Sequence, residues 1–560
     1  MGIQRRDTEV TFDSDATTPR PHSQDRGSPH LSSEEASGHK AGDCDDGKEK
    51  RQDDIDDSSA SPASNDRRLD CDLEKGEQGP PATEQPQPHA APPRDPNLIQ
   101  FDGPNDPGDP RNFKTSRKWY VTMMLSMLTF SVTFSSSIFS QATKVTASTY
   151  GVSIDVATLG TSFTLLGFGI GPVIWGPLSE VYGRMIPLMV GYWISAIFQV
   201  AVAVAQNLHT ILISRFMIGM FGSATLAVIG GCSADMWHPL VRGIASATFA
   251  SATFIGPITA PIIGGFIVNS SLGWRWTAWV TLFLDVFLGV LATFTLPETF
   301  APVILQRRAA KLRLETRNWA LHSKLDEQRL SLKDIVNKYL TRPYRMLVLE
   351  PILLLVTIYL ALDYGILYLC FFAYPISFQE VRGWSHPGIA ALPFIGVFVG
   401  ISCGCAFILW YTTGIFARKM KEAGTVVPEL RLPPMMVASV VLPIGLFWFS
   451  WTSSPEISWV PQAIAGVPIG FGIIVIFLQG LNYIVDVYAT VTNSALAANT
   501  LVRSLSAAVF PLFGSRMYRG IGVPWAGSIL GFLAVAMIPI PFLFYKYGAR
   551  IRAMSKFIPD

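Results

Sequence analysis

The sequence predicts an all-α membrane protein with 12 transmembrane helices in two six-helix bundles and a disordered acidic N-terminal tail. Its composition fits the membrane class, because 49% of the 560 residues are hydrophobic, only 15% are charged and the mean hydropathy is +0.32. A helix needs about 20 apolar residues to cross the hydrocarbon core of a bilayer. Such segments are predicted near residues 118–140, 155–177, 186–206, 209–231, 243–267, 276–297, 346–370, 387–410, 434–452, 459–482, 493–514 and 522–545.

The spacing of these segments divides the chain into five parts. After the N-terminal region, the longest polar interval separates six segments from six, which favours two bundles with a solute path between them near the bilayer midplane. The predicted parts are a disordered cytoplasmic tail (1–110), an N-terminal six-helix bundle (111–297), a cytoplasmic central loop (298–345), a C-terminal six-helix bundle (346–546) and a cytoplasmic C-terminal tail (547–560).

The predicted tail differs in charge from the rest of the chain. Residues 1–110 contain 25 acidic and 12 basic residues, whereas the remaining residues contain 17 and 32. The tail is rich in Ser, Pro, Asp and Gly and lacks apolar periodicity. Because it cannot bury enough apolar surface to offset the entropy lost on ordering, we expect it to be disordered.

The distribution of basic residues between the loops predicts the orientation of the chain. If the N-terminus is cytoplasmic, 25 Lys and Arg residues flank the segments on that side and 5 on the other. Loops with the excess of basic residues remain in the cytoplasm. We therefore expect a multi-pass protein with both termini and the central loop in the cytoplasm. The plasma membrane is the favoured location and the vacuolar membrane the second choice.

The fifth apolar segment carries small residues and prolines in a regular pattern. Gly256, Ala260 and Gly264 recur every four positions, so on a helix they form one smooth stripe that a neighbouring helix can approach closely. Pro257 and Pro261 lie beside this stripe, and each removes a backbone donor. Inside lipid, the freed carbonyls must be met by packed helices, side chains or water. The pattern predicts a packed helix of a polytopic bundle that the prolines allow to bend.

The short link between the second and third segments contains glycines and two charges. Gly183 permits a tight turn, while Glu180 and Arg184 can contact adjacent helix ends. A charge contact formed in one conformation only would bias an open–closed equilibrium. The alternative is a tight loop whose charges only set the topology.

Several motifs follow one another along residues 100–560. They are Gly176, Leu178, Glu180, Gly183 and Arg184; residues 214–219 around Arg215; Asp235 and Arg242; Gly256 with residues 260–265; and residues 296–299, 350–351, 428–432, 482–486 and 494–503. Together they resemble the fungal twelve-span drug:proton antiporters of the major facilitator superfamily, which export drugs, toxins and polyamines. Val181 and Met185 stand where the superfamily often has basic residues, and Ala260 replaces a usual Gly.

This resemblance implies a transporter rather than an enzyme, with no cofactor and with the proton gradient as its energy source. It assigns Arg215 to proton coupling and associates the motif that includes Pro261 and Gly265 with antiport. It also implies alternating access of a central site between the two bundles.

Four ionisable residues lie well inside the predicted spans: Arg215, Asp285, Asp363 and Arg503. Each costs about 2.5–3.5 kcal/mol on insertion scales and should face protein or water. For Arg215 the two candidate roles are proton coupling and structural pairing. For Asp285 they are an internal ion pair and a proton site. Arg503 holds its helix to a partner or, in the second interpretation, contacts an anionic solute.

Asp363 is the candidate for alternate binding of a proton and a cationic substrate, since desolvation and a bound cation shift its protonation in opposite directions. Tyr364 and Tyr368 are one turn apart beside it, and their rings predict cation–π contacts with that substrate. The alternative for such aromatics is lipid contact and interfacial anchoring.

Asn269 begins a formal glycosylation sequence on the predicted outer side, but its loop is short and we expect it to be unused.

Together these features predict a proton-coupled exporter of small organic molecules, such as amphipathic drugs, polyamines or a fungal secondary metabolite or toxin. The chain lacks a phosphate-binding Gly-rich loop, which argues against an ATP-driven pump, and its six cysteines have no metal-site spacing. The expected partners are a small-molecule substrate, protons and lipid, with no nucleic acid and a monomeric state. Two alternatives remain. One is a proton-coupled importer, and the other is a non-transporting receptor or scaffold that uses the acidic tail.

Overall fold

A computed structural model describes residues 95–327, 341–424, 427–489, 491–555 and 557, without the side chains of residues 239 and 240. The predicted tail up to residue 94 therefore lies outside the described residues. Part of the predicted central loop and the last residues of the chain do so as well.

Ten helices correspond to the first ten predicted spans. They are α1 (Thr115–Ile138), α2 (Ile154–Val181), α3 (Met185–Ala203), α4 (Leu208–Met236), α5 (Pro239–Val268), α6 (Trp276–Thr295), α7 (Pro351–Pro375), α8 (Phe394–Tyr411), α9 (Leu432–Trp451) and α10 (Gly466–Val487). Short helices at Thr143–Tyr150, Ala301–Thr316, Arg342–Leu349 and Pro387–Ala391 connect or extend them.

The last two predicted spans are nearly continuous. A 46-residue helix runs over Thr492–Met537, and Gly522 inside it has non-helical dihedral angles (φ 79°, ψ 160°). By length and hydropathy, the described residues contain 11 stretches able to cross a membrane, of which the last is 61 residues long. Since about 20 residues suffice for one crossing, this last stretch holds two. We call them α11 (residues 492–521) and α12 (residues 523–537, continued by Pro539–Arg552), so the prediction of twelve helices is confirmed.

Helices pack in pairs within and between the two predicted bundles. In the N-terminal half, α2 packs on α4 and α1 on α5; in the C-terminal half, α7 packs on α11 and α8 on α10. The two halves meet where α2 contacts α11 and where α5 contacts α8. Large apolar side chains such as Phe287 and Phe294 of α6 are exposed on the outside, where lipid would cover them. No strand occurs in the described part of the chain; one isolated bridge joins Leu98 to His322.

The small-residue stripe of α5 packs against α1. A Cβ on Gly256 would lie 2.5 Å from Thr133 Oγ1, and one on Gly264 would lie 3.0 Å from the carbonyl oxygen of Ile138. Ala260 is fully buried between them. The predicted close approach of a neighbouring helix at this stripe is therefore confirmed.

The prolines of α5 leave carbonyl groups that a neighbour must satisfy. Pro261 has no N–H for the carbonyl of Pro257, four residues earlier. The hydroxyl of Ser137 on α1 donates to that oxygen at 2.9 Å. The helix that packs on the stripe thus also meets the hydrogen-bonding need that Pro261 creates.

Residues 95–110, which the sequence assigns to the tail, have defined contacts. The Asp106 carboxylate accepts hydrogen bonds from the backbone N–H groups of Asp102 and Gly108 at 2.9 and 2.7 Å, and from Arg308 at 2.7 Å. These backbone bonds, followed by the bond from Arg308, lower the pKa of Asp106 to about 2. At neutral pH the segment is therefore held by an ionised carboxylate to the helix Ala301–Thr316.

Candidate functional site

Arg215 lies in the interior of the N-terminal half with only 1% of its surface exposed. Its guanidinium donates to three backbone carbonyls: Gly160 of α2 at 3.1 Å and Ser135 and Ser136 of α1, each at 2.8 Å. It also lies over the ring of Phe139, 5.0 Å from the centroid. No ion pair joins Arg215 to an acid within the described residues. The charge is thus stabilised by carbonyl dipoles and a ring, and it connects three helices.

Arg503 lies in the C-terminal half and is 7% exposed. Its guanidinium lies 4.7 Å from the ring centroids of both Tyr364 on α7 and Phe477 on α10. Nε is buried without a hydrogen-bond partner, and no ion pair of Arg503 is formed in the part of the chain that the structure describes. Two aromatic faces therefore hold this cation in place of oxygen acceptors.

An aromatic layer closes the space between the two halves at this level. Phe254 of α5 places its ring 4.6 Å from Phe477 and 6.0 Å from Tyr364. Tyr368 continues the layer, with its ring 5.1 Å from that of Tyr364. Three of the predicted cavity residues, Tyr364, Tyr368 and Arg503, are thus brought together where the halves meet.

Ser136 links the interior of the N-terminal half to this layer. Its carbonyl accepts from Arg215, and its hydroxyl lies 2.9 Å from the hydroxyl of Tyr368 on α7. One residue therefore separates the buried arginine of the N-terminal half from the C-terminal half. Separating the halves at this level would break the contact between Ser136 and Tyr368.

Asp363 is fully buried, and neither carboxyl oxygen has a hydrogen-bond partner among the residues that the structure describes. On a helix it points about 100° away from Tyr364. It interacts electrostatically with Tyr359, one turn earlier, and with Arg503, although no ion pair within 4.0 Å joins it to Arg503 in the described structure. Burying an ionised carboxylate without a donor is costly, so this conformation suits the protonated form.

The cation site predicted at Asp363 and Tyr364 stays a prediction. In this conformation Asp363 points about 100° away from Tyr364 around the helix, and one face of Tyr364 is covered by the protein's own Arg503. The sequence identified all three residues but could not show which of them face each other. Helical spacing gives the angle between neighbours and leaves open which helix each side chain faces.

Asp285 lies on α6 in a network of hydroxyl groups and is 5% exposed. The hydroxyl of Tyr192 on α3 donates to Asp285 Oδ1 at 3.4 Å and lies 2.8 Å from Ser131 Oγ on α1. Among the described residues no ion pair includes Asp285. Of the two predicted alternatives, the ion pair is therefore not formed, and the carboxyl group is held by neutral donors.

The loop after α2 is organised by an acid from the end of α6. Gly183 has a φ of 91°, which favours glycine, and its Cα faces the Glu298 carboxylate. Glu298 accepts from the backbone N–H groups of Arg184 and Met185 at 2.8 and 3.3 Å. A side chain at position 183 would collide with that carboxylate. The predicted glycine-dependent turn is confirmed.

The charges of this loop contact neighbouring helices as predicted. Arg184 pairs with Asp235 of α4 at 3.0 Å and lies 4.6 Å from the ring centroid of Phe300. Glu180 accepts from Asn493 Nδ2 of α11 at 2.6 Å, which connects the two halves at this end. In the C-terminal half, Arg431 is similarly paired with Asp486 at 2.8 Å.

At the opposite end, which the sequence predicts to be extracellular, the halves are joined by exposed ion pairs around a cleft. Lys144 pairs with Glu380 at 2.9 Å, and Asp155 pairs with Arg516 at 2.7 Å. The cleft has a volume of about 180 Å³. Its lining includes Gln141, Lys144, Phe371, Ile376, Glu380 and Arg519. Asn269, the formal glycosylation site, is exposed at this end of α5.

Sequence reasoning missed the residues that connect the predicted ones. Ser136, Tyr192, Phe254 and Phe477 occupy positions that look like ordinary packing in an apolar span. Their roles come from cross-helix geometry, for which no local sequence signal exists. Glu298 differs, because it lies in one of the motifs that carried the family resemblance.

The comparison with known proteins decides the family. Residues 125–511 match the family described as Major Facilitator Superfamily. The chain belongs to this superfamily. Among solved structures, that of the proton:xylose symporter XylE superposes with a TM-score of 0.57 at 15% identity, covering 78% of this chain and 96% of XylE, which supports the same fold.

Curated relatives are transporters encoded with fungal biosynthetic genes. A "citrinin biosynthesis cluster MFS transporter" of Monascus ruber is 59% identical, covering 82% of this chain and 92% of the relative. An "ascochitine biosynthesis cluster MFS transporter" of Didymella fabae is 56% identical, covering 84% and 91%. The chain is accordingly a multi-pass membrane transporter rather than an enzyme, similar to members that serve secondary-metabolite clusters.

Proposed function

We propose that this superfamily member exports a small organic product of fungal secondary metabolism in exchange for protons. The similarity to transporters of citrinin and ascochitine biosynthesis clusters supports the cargo type and the outward direction. The observation that carries proton coupling is the presence of two acids, Asp285 and Asp363, that are buried in the spans and form no ion pair in the described structure. Such groups can change protonation without breaking a salt bridge.

The two acids differ in what holds them. Asp285 has the hydroxyl of Tyr192 as a donor, so both its protonated and ionised forms can be accommodated. Asp363 has no donor in this conformation, so its ionised form requires a rearrangement towards Arg503 or water. Either acid could carry the proton, and their Asn variants distinguish them.

Arg215 would act as the conformational element of coupling. Its bonds hold α1, α2 and α4 together, and Ser136 extends this group to Tyr368 of α7. A change in protonation that moves α1 would thereby reach the contact between the halves. In this proposal α5 supports the movement as a close-packed partner of α1 through Gly256 and Gly264.

The proposed cycle alternates access between the two ends of the bundle. At the predicted cytoplasmic end, Glu180 and Asn493 form one contact between halves, and at the predicted outer end, Lys144 and Glu380 form another. Both contacts are formed in this structure, and in the proposed cycle each end opens by breaking its own contact while the other is kept, which biases the equilibrium between the two states. The plasma membrane is the proposed location, the vacuolar membrane is second, and both termini would be cytoplasmic.

Transport by purified full-length protein in proteoliposomes tests this function, with citrinin and ascochitine as the first compounds. An acidic lumen should drive uptake of the compound, and a pH dye in the lumen should report the protons that leave. The Asn variant at the proton-carrying acid should lose this response while keeping exchange of labelled for unlabelled compound. Glu456→Gln, at an exposed acid between α9 and α10, is the control for loss of a negative charge, and Lys546→Gln, at an exposed cation near the end of α12, is the control for loss of a positive charge.

Other outcomes would favour the alternatives. Uptake driven by an acidic exterior would identify a proton-coupled importer. Two results together would support a receptor or scaffold. The protein would show no transport in proteoliposomes, and its cellular role would be lost on deleting residues 1–94. An exporter should retain transport after that deletion, because the described contacts with Arg308 begin after residue 94.

A further inference from the structure

Arg503 combines a buried charge with unused hydrogen-bond donors. A guanidinium carries five N–H donors in a rigid plane, and in Arg215 of this protein three carbonyls accept from them. In the described structure Arg503 donates to no acceptor, and its Nε is buried without a partner. Both arginines lie in apolar spans, but each guanidinium nitrogen of Arg215 has an acceptor, whereas Arg503 retains all of its donors for one.

Arg503 is buried where the two halves meet. Its guanidinium lies on Tyr364 and Phe477 of the C-terminal half, and Phe254 of the N-terminal half packs against the same two rings. When the halves separate here, Phe254 leaves and the rings around Arg503 are uncovered. A molecule bound there would be released or enclosed by the same movement.

A row of aromatic rings connects this position to the cleft at the predicted outer end. Phe371 lines the cleft, and its ring lies 5.2 Å from Tyr368, which lies 5.1 Å from Tyr364. Two cations, Lys144 and Arg519, and one acid, Glu380, line the cleft. These rings meet edge to face, and a flat aromatic molecule can pack in the same way against those that are uncovered when the halves separate. The surplus of one positive charge in the cleft favours an anion.

We propose that Arg503 binds the transported molecule and that this molecule is an organic anion, namely a flat aromatic compound carrying a carboxylate or a comparably acidic group. An arginine fork binds a carboxylate through two parallel hydrogen bonds. The proposal rests on the export function proposed above and defines its class of cargo.

The charges near the aromatic layer favour an anion over a cation. Arg503 lies on the ring of Tyr364, and Arg215 is joined through Ser136 to the hydroxyl of Tyr368. Both cations therefore lie at the layer or one residue away from it, and in the described structure neither forms an ion pair with an acid. A substrate cation would have to approach these arginines and displace Arg503 from the ring face that it occupies.

An anionic cargo also determines which acid carries the exchanged proton. A proton on Asp363 removes the negative charge beside Arg503, so protonation and anion binding at this place strengthen each other. Exchange instead requires that binding of the proton and binding of the cargo weaken each other. Asp285, which is bonded to Tyr192 rather than to Arg503, is then the proton carrier. When the membrane potential is 100 mV, negative inside, outward movement of one negative charge is favoured about 50-fold.

Three probes of matched size test the cargo class on the purified full-length protein: 2-naphthoate, 2-naphthamide and 2-naphthyltrimethylammonium. Titration calorimetry and the thermal shift of the protein measure their binding at neutral pH. The acid should bind at least roughly 10-fold more tightly than the amide and the cation, as expected for charge-assisted hydrogen bonds. Preference for the amide or the cation, or failure to bind the acid, would overturn the proposal.

Variants of the two charged residues give independent readouts. Arg503→Gln should weaken binding of 2-naphthoate roughly 10- to 100-fold, Arg503→Lys should restore part of it, and Lys546→Gln should not change it. Asp363→Asn should preserve or tighten binding of the acid. If Asp363→Asn instead abolishes binding of the acid, the assignment of an anion site to Arg503 is wrong, even if Arg503→Gln fails to fold.

Failure of this proposal is distinguishable from failure of the export function. Proton-driven transport that is indifferent to Arg503→Gln would leave export intact and refute the anion site. Arg503-dependent binding of 2-naphthoate without proton-driven transport would refute proton exchange and leave the cargo class intact. With an inside-negative potential clamped by potassium and valinomycin, efflux of the acid should accelerate, whereas efflux of the amide should not.

Discussion

The two halves of this transporter each bury an arginine near the middle of the bundle, and the two arginines are held differently. Arg215 in the N-terminal half is bonded to three carbonyls from two neighbouring helices. Arg503 in the C-terminal half rests between two rings, and its Nε has no partner. A buried cation with its donors satisfied acts as a structural connection, whereas one with donors unused remains available to a ligand.

The surroundings of the two arginines differ in degree. Near Arg215, Ser131 is bonded to Tyr192, although the hydroxyl groups of Thr161 and Ser162 have no partner in the described structure. In the interior of the C-terminal half, the unpartnered atoms include both carboxyl oxygens of Asp363 and both amide atoms of Gln479. We therefore expect the N-terminal half to be the more rigid framework, and binding and rearrangement to occur mainly in the C-terminal half.

The strongest test of this contrast compares the stability of two matched variants. Arg215→Gln leaves buried carbonyls without donors and should lower the free energy of unfolding by about 3 kcal/mol or more. Arg503→Gln removes a buried charge that forms no hydrogen bond and should change it by less than about 1 kcal/mol or raise it. Thermal unfolding in detergent measures both. Equal destabilisation by the two variants would show that Arg503 is also a structural residue.

Ser136→Ala separates the two contacts of the residue that joins the halves. The variant keeps the carbonyl bonded to Arg215 and loses the hydroxyl that contacts Tyr368, so we expect a loss of about 1 kcal/mol in the closed arrangement. The ratio of open to closed states should rise about fivefold, as measured by labelling of a cysteine introduced into the layer. Tyr368→Phe should have the same effect. A difference between these two variants would mean that the hydroxyl pair is not what closes the layer.

Gly256→Ala tests the packing of the rigid half. The added Cβ would lie 2.5 Å from Thr133 Oγ1 and 2.7 Å from the carbonyl oxygen of Phe130, and such overpacking costs about 1–3 kcal/mol. Gly230 on α4 is the matched control, because a Cβ there meets no atom within 4 Å. We expect a lower melting temperature and slower transport for Gly256→Ala only. Normal behaviour of this variant would show that α1 and α5 can separate freely.

The smallest expected effect lies outside the membrane, at His322. The hydrogen bond to the carbonyl of Ala320, opposed by desolvation and supported by Glu327, raises its pKa above 6.5. Because the protonated form is favoured in the folded state, its contribution is complete below about pH 6.5 and is lost as pH rises through the higher folded value. The protection factor of the Ile99 amide, which bonds to the His322 carbonyl, should fall over that range once the base-catalysed rise of intrinsic exchange is divided out. His322→Gln should remove this pH dependence of the protection factor.

Asp106 provides the internal control for this measurement. Since its pKa is lowered to about 2, its contribution is present at neutral pH and lost only as pH falls towards 2. Between about pH 6 and 9 the contact of Asp106 with Arg308 should therefore stay constant. A falling protection factor at the Gly108 amide, which bonds to Asp106, would indicate in this range a general loosening of the segment rather than titration of His322.

Much of the fold was predictable because the bilayer imposes lengths and polarity that the sequence must show. The apolar segments, the loop glycine Gly183 and the stripe of Gly256 and Gly264 all express local rules of spacing. The near continuity of α11 and α12 was not predictable, since Gly522 alone marks the break and an isolated glycine in an apolar run has several meanings. Predictions for residues 1–94 stay predictions.

For the candidate site, the sequence identified the charged residues and the tertiary structure decided their relations. Depth in an apolar span is readable from position, and it selected Arg215, Asp285, Asp363 and Arg503. Which of them are bonded depends on side chains from other helices, such as Ser136 and Phe477, whose local sequence is that of ordinary packing. The sequence therefore determined that charged residues are buried in this protein, because the mean hydropathy of a segment shows that it spans the membrane and the position of a charge within the segment shows its depth. Only the packing of helices distant in sequence decided that Arg215 is satisfied and Arg503 is not.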